Sequence, residues 1–309
     1  MGYEYTPKPI CIVGTTASGK TDLSLKLAES FIKEHKKVAL ISLDAFQIYN
    51  GMDIGTGKID LRKYSHIPHF GIDIITPNTN YSVAHFLEYV NSVKKELDAN
   101  TQIIYVGGTG LYVSAIVDGF EFPPEDLGVR KDLEKKYLNK TEKAYKKLIE
   151  LDSKAAEKID PNNFRRTIRA LEVIEISHKK FSDYRTTYDG VNESADFFGL
   201  YQTRLQGRES IAQRVNTMFS EGWIDEVQSL LTEGISVTAS KAIGYKQILE
   251  AISVNSFTNL EEIITNKTVK FSRRQRMWFK RDSRIRWMFG DYKHNLDRVT
   301  EYIKEEVQC

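Results

Sequence analysis

Cysteine is nearly absent from this chain of 309 residues: Cys11 and Cys309 are the only two. They form neither a metal-binding spacing nor a disulfide framework. That excludes a stapled secreted scaffold and predicts a reducing, cytoplasmic setting. Long apolar runs are missing as well, so no segment reads as a bilayer span and no membrane partner is expected. Residues 1–9 are polar and an apolar run follows at once, so no secretory leader is expected. Met1, Gly2 and Thr6 fit a myristoylation pattern, but one short enough to arise by chance. One-sided charge is lacking too: 44 Lys and Arg face 42 Asp and Glu, a net of +2. Such a balance does not argue for nucleic acid, and only the placement of charge can do so. There is no internal repeat and no low-complexity tract. Apolar residues at 41 % and charged residues at 28 % suit a globular protein of one large domain or two smaller ones.

The most informative stretch that is present is Gly14-Thr15-Thr16-Ala17-Ser18-Gly19-Lys20-Thr21. It matches G-x-x-x-x-G-K-[ST] in full, after the apolar run Ile10-Cys11-Ile12-Val13 and before a helical pattern over residues 22–31. Strand, loop and helix are the context that the motif needs. The glycines let successive N–H groups turn inward on a di- or triphosphate. Lys20 adds a point charge, Thr21 can hold Mg²⁺, and the helix start favours an anion. A polyphosphate ligand follows, and the motif leaves open whether it is ATP or another pyrophosphate ester.

Strand-like runs at 38–43, 71–75 and 103–106 alternate with helices, one capped by Ser82 and one following Gly107-Gly108-Thr109-Gly110. The alternation predicts an α/β fold with a doubly wound parallel sheet. Ligands sit beyond the carboxyl ends of the strands in such sheets. The phosphate loop, the segment from Asp44 and the Gly107–Gly110 turn should therefore converge. After Pro123-Pro124 the chain is helical and charged over 127–184, which reads as a helical insertion. The predicted division is core 1–122, insertion 123–190 and a second core part 191–309. That last part reads as a strand at 197–201, helices at 206–221, 224–232, 241–252 and 260–280, a strand at 285–289 and a helix at 299–307.

Asp44 ends a buried strand, where a carboxylate can take a proton from a nucleophile, hold a metal through water, or cap the next turn. Phe46 and Tyr49 behind it either stack on a base or fill the core. The Thr109 hydroxyl could bond a phosphate oxygen or an amine, although glycine-rich strand ends are common turns. Basic residues cluster three times. Arg165 and Arg169 share a helix face, with Arg166 beside them. Lys241 and Lys246 flank Gly244-Tyr245. Seven basic residues lie between Arg273 and Arg286 against one acid, Asp282, with Trp278, Phe279 and Trp287 interleaved. This is either a nucleic-acid surface or a solvated helix face whose aromatics point inward. His66 and His69 have no third spaced ligand and read as loop or core histidines.

With these residues together the chain closely resembles bacterial tRNA dimethylallyltransferases. The matching segments are Gly14–Thr21, Asp44 with Gln47-Ile48-Tyr49 and residues 51–56, Gly107–Tyr112, Arg169-Ala170-Leu171-Glu172-Val173, and Ile243-Gly244-Tyr245-Lys246-Gln247. The resemblance implies a P-loop NTPase-like core with an insertion that grips the tRNA anticodon stem. It implies transfer of a dimethylallyl group from dimethylallyl diphosphate to the exocyclic amine of the adenosine 3′ to the anticodon. Mg²⁺ is the implied cofactor, with Thr21 as its ligand, and the protein is expected to be a monomer. Asp44 would accept the amine proton and Thr109 would hold the amine or the bridging oxygen. Gly14, Thr15, Thr16, Ala17, Ser18, Gly19, Lys20, Thr21 and Arg214 would hold the pyrophosphate. The tRNA contacts that the resemblance implies are Asp44, Ala45, Phe46, Gln47, Thr109, Arg165, Arg166, Thr167, Ile168, Arg169, Lys241, Ala242, Ile243, Gly244, Tyr245 and Lys246. The chain departs from the family's Asp-Ser-Arg-Gln in reading Asp44-Ala45-Phe46-Gln47, where stacking by Phe46 would replace a polar contact. The zinc module of eukaryotic relatives is absent. Two other readings of the residues are a P-loop kinase for a nucleotide or small metabolite, and a non-catalytic RNA-binding or ATPase module.

Overall fold

The computed structural model describes residues 6–184, 194–289 and 296–308. The chain divides into two compact units, Met1–Val117 with Glu193–Cys309, and Asp118–Asn192. Cys309 lies outside the described residues.

The first unit opens with β1 (Ile10–Gly14), α1 (Lys20–Lys33), β2 (Val38–Ser42), β3 (His69–Phe70), α2 (Val83–Glu96), β4 (Gln102–Gly107) and α3 (Gly110–Val117). All pairings in its six-stranded sheet are parallel, in the order β3-β2-β4-β1, then the later strands β5 (Asp196–Leu200) and β6 (Arg286–Met288). A parallel strand between two others is covered on both faces, which is why β1 is apolar and buried throughout. Alternate residues serve opposite layers. Cys11 and Val13 join one core with Ile41 and Tyr105, whereas Ile10 and Ile12 join another with Leu23, Leu27 and Phe31 of α1.

The third strand is shorter and earlier than the sequence pattern predicts. It pairs through His69 and Phe70 instead of running over 71–75. The amides beyond it turn to another partner: Asp73 N donates to Gln47 O (3.1 Å) and Ile74 N to Ile48 O (2.8 Å). The chain after Asp44 thus competes with the sheet edge for these bonds and ties residues 73–75 to the site. Ser82 does cap α2, accepting from His85 N.

The second unit holds α4 (Leu127–Lys136), α5 (Thr141–Leu151), α6 (Ser153–Lys158) and α7 (Phe164–Ser177). Leu133, Leu148, Ile159, Ile168 and Leu171 form its separate core. Asp126 caps α4 and Asn163 caps α7. The chain re-enters the first unit at β5 and continues through α8 (Arg204–Ser220), α9 (Trp223–Glu233), α10 (Tyr245–Ser253), α11 (Leu260–Phe279), β6 and α12 (Leu296–Gln308). Thr203 and Gln206 form a capping box that starts α8 two residues earlier than its apolar pattern suggests.

Candidate active site

The phosphate loop joins β1 to α1 in the order that the motif requires, with Gly19 in the left-handed region as the helix cap. Two glutamines from distant segments hold this loop. Thr16 N donates to Gln275 Oε1 of α11 (2.9 Å), and Gln202 Nε2 donates to Ala17 O (3.2 Å). The hydroxyls of Thr15 and Ser18 are buried with no hydrogen-bond partner among the described residues. Lys20 Nζ folds back onto Thr15 O (2.6 Å).

Beside the loop lies a cavity of about 360 Å³. Lys20, Thr21, Asp44 and Arg214 line it together with the apolar Ile211, Val215, Met218 and Phe271, and Ile211, Arg214, Val215 and Met218 come from one face of α8. A second cavity of about 420 Å³ adjoins the outer side of the loop, lined by Ala17, Ser18 and Gly19. Lys20, Thr21 and Arg214 line both cavities. The two cavities thus share cationic groups, and the first carries hydrocarbon beside them, which suits a molecule with an anionic head and an apolar tail.

The electrostatics match. Burial pushes Lys20 down to about 7, helped by Arg214 and opposed by Asp44. Burial also lowers Arg214, against the attraction of Asp44 and Asp22. Two desolvated cations side by side are a vacancy for negative charge. Arg214 Nη2 rests on Thr56 O (3.1 Å).

Asp44 does two things that the sequence presents as alternatives. Its Oδ1 accepts from Phe46 N (2.9 Å) and Gln47 N (3.4 Å), so it caps the following turn. The same carboxylate lines the cavity beside Lys20 and Thr21. Phe46 and Tyr49 divide: Phe46 is on the cavity wall, while Tyr49 is buried and bonded to Thr238. Gln47 accepts from Ser42 and reaches Thr56 O, closing the segment. Gly107 and Gly108 line the cavity. Thr109 is outside that lining, and its carbonyl starts α3 by accepting from Tyr112 N and Val113 N.

Several residues that hold this site escape a reading along the chain. Glu226 of α9 accepts from Asp53 N (2.8 Å), Ile54 N (2.6 Å), Gly55 N (3.3 Å) and Tyr245 OH (2.6 Å). Lys58 is buried between Asp53 and Asp73. The Trp223 ring fills the space that a Cβ on Gly244 would occupy, at 1.9 Å, so that position requires glycine. Glu226 carries a weak signal, since an acid in the first turn of a helix suits the dipole, but nothing local reveals its partners.

The proposed nucleic-acid residues separate by exposure. Lys241, Ala242 and Ile243 line the cavity and Lys246 is exposed, whereas Gly244 and Tyr245 are buried outside that lining. In the helical unit Arg165 and Arg166 are exposed, while Thr167 and Ile168 are buried. Arg169 donates to Pro123 O (2.7 Å) and Pro124 O (3.0 Å) and pairs with Glu172. The basic run of 273–286 is no continuous stripe. Arg276 donates to Gln202 O, Arg284 pairs with Asp282 and Arg286 with Glu306. Phe279 is buried and Trp278 packs over Gly110, so these aromatics serve the core. Arg273, Arg274, Lys280 and Arg281 remain exposed. His69 is part of β3, with Nδ1 2.7 Å from Ile67 O, and burial lowers its pKa.

Known proteins match this chain along most of its length. The family model described as IPP transferase matches residues 47–282. A tRNA dimethylallyltransferase of Bifidobacterium longum is 38% identical over 288 residues, covering 92% of this chain and 87% of that protein. One from Halothermothrix orenii is 38% identical over 311 residues, covering 96% and 92%. The crystal structure of a tRNA isopentenylpyrophosphate transferase from Bacillus halodurans superposes with a TM-score of 0.69 at 31% identity, covering 98% of this chain and 97% of that one. The phosphate loop, the carboxylate beside it and these matches together make the chain a member of the IPP transferase family.

Proposed function

We infer that this protein is a tRNA dimethylallyltransferase: it moves a dimethylallyl group from dimethylallyl diphosphate to the exocyclic amine of the adenosine 3′ to the anticodon. The observation that carries this is the cavity beside the phosphate loop, which brings Asp44, Lys20, Thr21 and Arg214 together with the apolar Ile211, Val215 and Phe271. The diphosphate head sits on the loop under Lys20 and Arg214, and the hydrocarbon lies along Ile211, Val215 and Phe271. The base leaves its stack, at about a few kcal/mol, to reach the donor.

In the reaction the amine nitrogen forms a bond to the allylic carbon while that carbon's bond to oxygen breaks and diphosphate departs. An adenine amine is a poor nucleophile because its lone pair is delocalised, so alignment matters most. As the new bond forms the nitrogen becomes acidic, and its proton passes to Asp44. The backbone bonds to Asp44 Oδ1 hold the carboxylate in place for that step. Lys20 and Arg214 offset the charge that grows on the departing diphosphate. Thr109, next to the cavity-lining Gly108, is the candidate to orient the amine or the bridging oxygen.

Mg²⁺ fits the site: the Thr21 hydroxyl is a hard oxygen donor on the cavity, and Asp44, the proton acceptor, lines the same cavity and would reach the metal only through water. Among the described residues there is no cluster of three or more His, Cys, Asp or Glu that could cage a metal, and Mg²⁺ commonly completes its shell with water and substrate phosphates. When bound it supplies positive charge to the diphosphate. Among the described residues no helix is long and apolar enough to cross a membrane. A tRNA substrate and the low cysteine content favour the cytoplasm, and the protein is proposed to act as a monomer.

The test is nucleoside mass spectrometry of unmodified tRNA incubated with the protein, dimethylallyl diphosphate and Mg²⁺. Adenosine should gain one five-carbon prenyl unit. Phosphorylation of a small acceptor by ATP, with no prenyl gain, would move the protein to the kinases.

A further inference from the structure

The phosphate loop belongs to a motif that commonly holds triphosphates, yet the proposed donor carries two phosphoryl groups. Gln275 stands where that difference can be made. Its amide is buried, with Oε1 accepting from Thr16 N and Nε2 donating to Gly108 O, both at 2.9 Å. A Cβ on Gly108 would lie 2.4 Å from Nε2, so glycine is required there for the amide to reach the loop.

The loop is divided between the two cavities. Ala17, Ser18 and Gly19 line the outer one, and Lys20 and Thr21 line both. Within residues 15–19, Thr16 alone lines the inner cavity. An anion seated on 17–21 and extended inward by a third phosphoryl group would therefore next meet Thr16. Its N–H is already taken, and the group that takes it presents a carbonyl oxygen, an acceptor facing an acceptor. Ile211, Val215 and Phe271 line the same cavity and favour hydrocarbon over phosphate.

We propose that Gln275 is a specificity-determining residue: by occupying the Thr16 N–H it makes the loop accept a diphosphate ester and disfavour a triphosphate such as ATP. This rests on the reading of the loop as a diphosphate seat. Gln202, through its bond to Ala17 O, holds the loop independently of Gln275. Replacing Gln275 therefore exposes the Thr16 amide without freeing the whole loop.

The experiment measures dissociation constants of inorganic pyrophosphate and tripolyphosphate, each with Mg²⁺, on the full chain. Gln275→Met keeps length and volume but removes the acceptor. A newly available N–H bond to a charged oxygen should shift the ratio of the two constants about tenfold toward tripolyphosphate. ATP should become a correspondingly stronger competitor of dimethylallyl diphosphate. Gln275→Glu keeps an acceptor on Thr16 and adds negative charge, so it should weaken tripolyphosphate more than pyrophosphate. A ratio unchanged within twofold in Gln275→Met overturns the proposal, as does a parallel loss of both ligands. Should Gln275→Met fail to fold, an unchanged ratio in Gln275→Glu has the same force. The outcome is independent of prenyl transfer: wild-type protein that fails the tRNA assay sinks the function, whereas wild-type protein that passes while these ratios stay fixed sinks only the role of Gln275.

Discussion

Two groups of buried charge in this molecule are built in opposite ways. In the helical unit the Glu172 side chain is fully buried and receives Arg130 (2.8 Å), Arg169 (3.0 Å) and Asp126 N (2.9 Å). Burial alone would raise its pKa, but these partners outweigh it and hold the carboxyl below its usual range. In the cavity the imbalance runs the other way. Lys20 and Arg214 are both lowered by burial, and the attraction of Asp44 does not restore them. The first group is satisfied from within and stabilises an architecture. The second is left short of negative charge, which is the condition for binding an anion.

The largest expected effect comes from removing the carboxylate that serves the cavity. Asp44→Asn retains an oxygen for Phe46 N, so the turn should survive and tRNA binding should change little. Prenyl transfer should fall about a thousandfold, the range of a lost general base. Loss of tRNA binding in that variant would instead make Asp44 part of the scaffold.

Breaking the satisfied group should affect stability. Glu172→Ala takes the buried carboxylate from Arg169 and leaves Arg130 with the more exposed Glu125, and should cost about 3 kcal/mol in urea unfolding. A loss below about 1 kcal/mol would show that solvent already screens the pairs.

The deficit at Lys20 makes a pH prediction. In the free protein Lys20 loses its proton near pH 7, and a bound diphosphate favours the charged form. Affinity for pyrophosphate should therefore fall as pH rises above about 7, by up to about tenfold per unit, with proton uptake on binding at pH 8. Calorimetry in buffers of different ionisation enthalpy measures that uptake, and none at pH 8 would contradict the deficit. The sign for folding is opposite. The unfolded chain keeps the Lys20 proton up to about 10.5, so between about 7 and 10.5 this group makes the ligand-free fold more stable as pH rises.

The smallest effects should come from the exposed arginines. Arg165→Ala and Arg166→Ala should each lower the salt slope of tRNA binding by about 1. Arg169→Ala should chiefly lower stability, because that side chain is tied to Pro123, Pro124 and Glu172. Equal salt slopes for all three variants would erase the distinction between them.

Local patterns carried much of the architecture. The phosphate loop, β1, β2, β4 and the cap at Ser82 depend on residues within a few positions of one another. The strand expected at 71–75 was displaced because its amides bond to Gln47 and Ile48, a competition invisible from periodicity. The aromatics among the C-terminal arginines looked available for stacking. Spacing along α11 does not reveal that Trp278 meets Gly110, which is 168 positions away by the difference of their numbers.

The sequence by itself determined the phosphate loop, the carboxylate after β2, the alternating core and the helical insertion, because each depends on short-range spacing and on which side chains avoid water. Tertiary structure alone decided which charges are compensated, that Glu226 organises the backbone at 53–55, and that Gln275 holds Thr16. Those outcomes depend on desolvation and on hydrogen bonds between segments brought together only when the sheet and its helices pack.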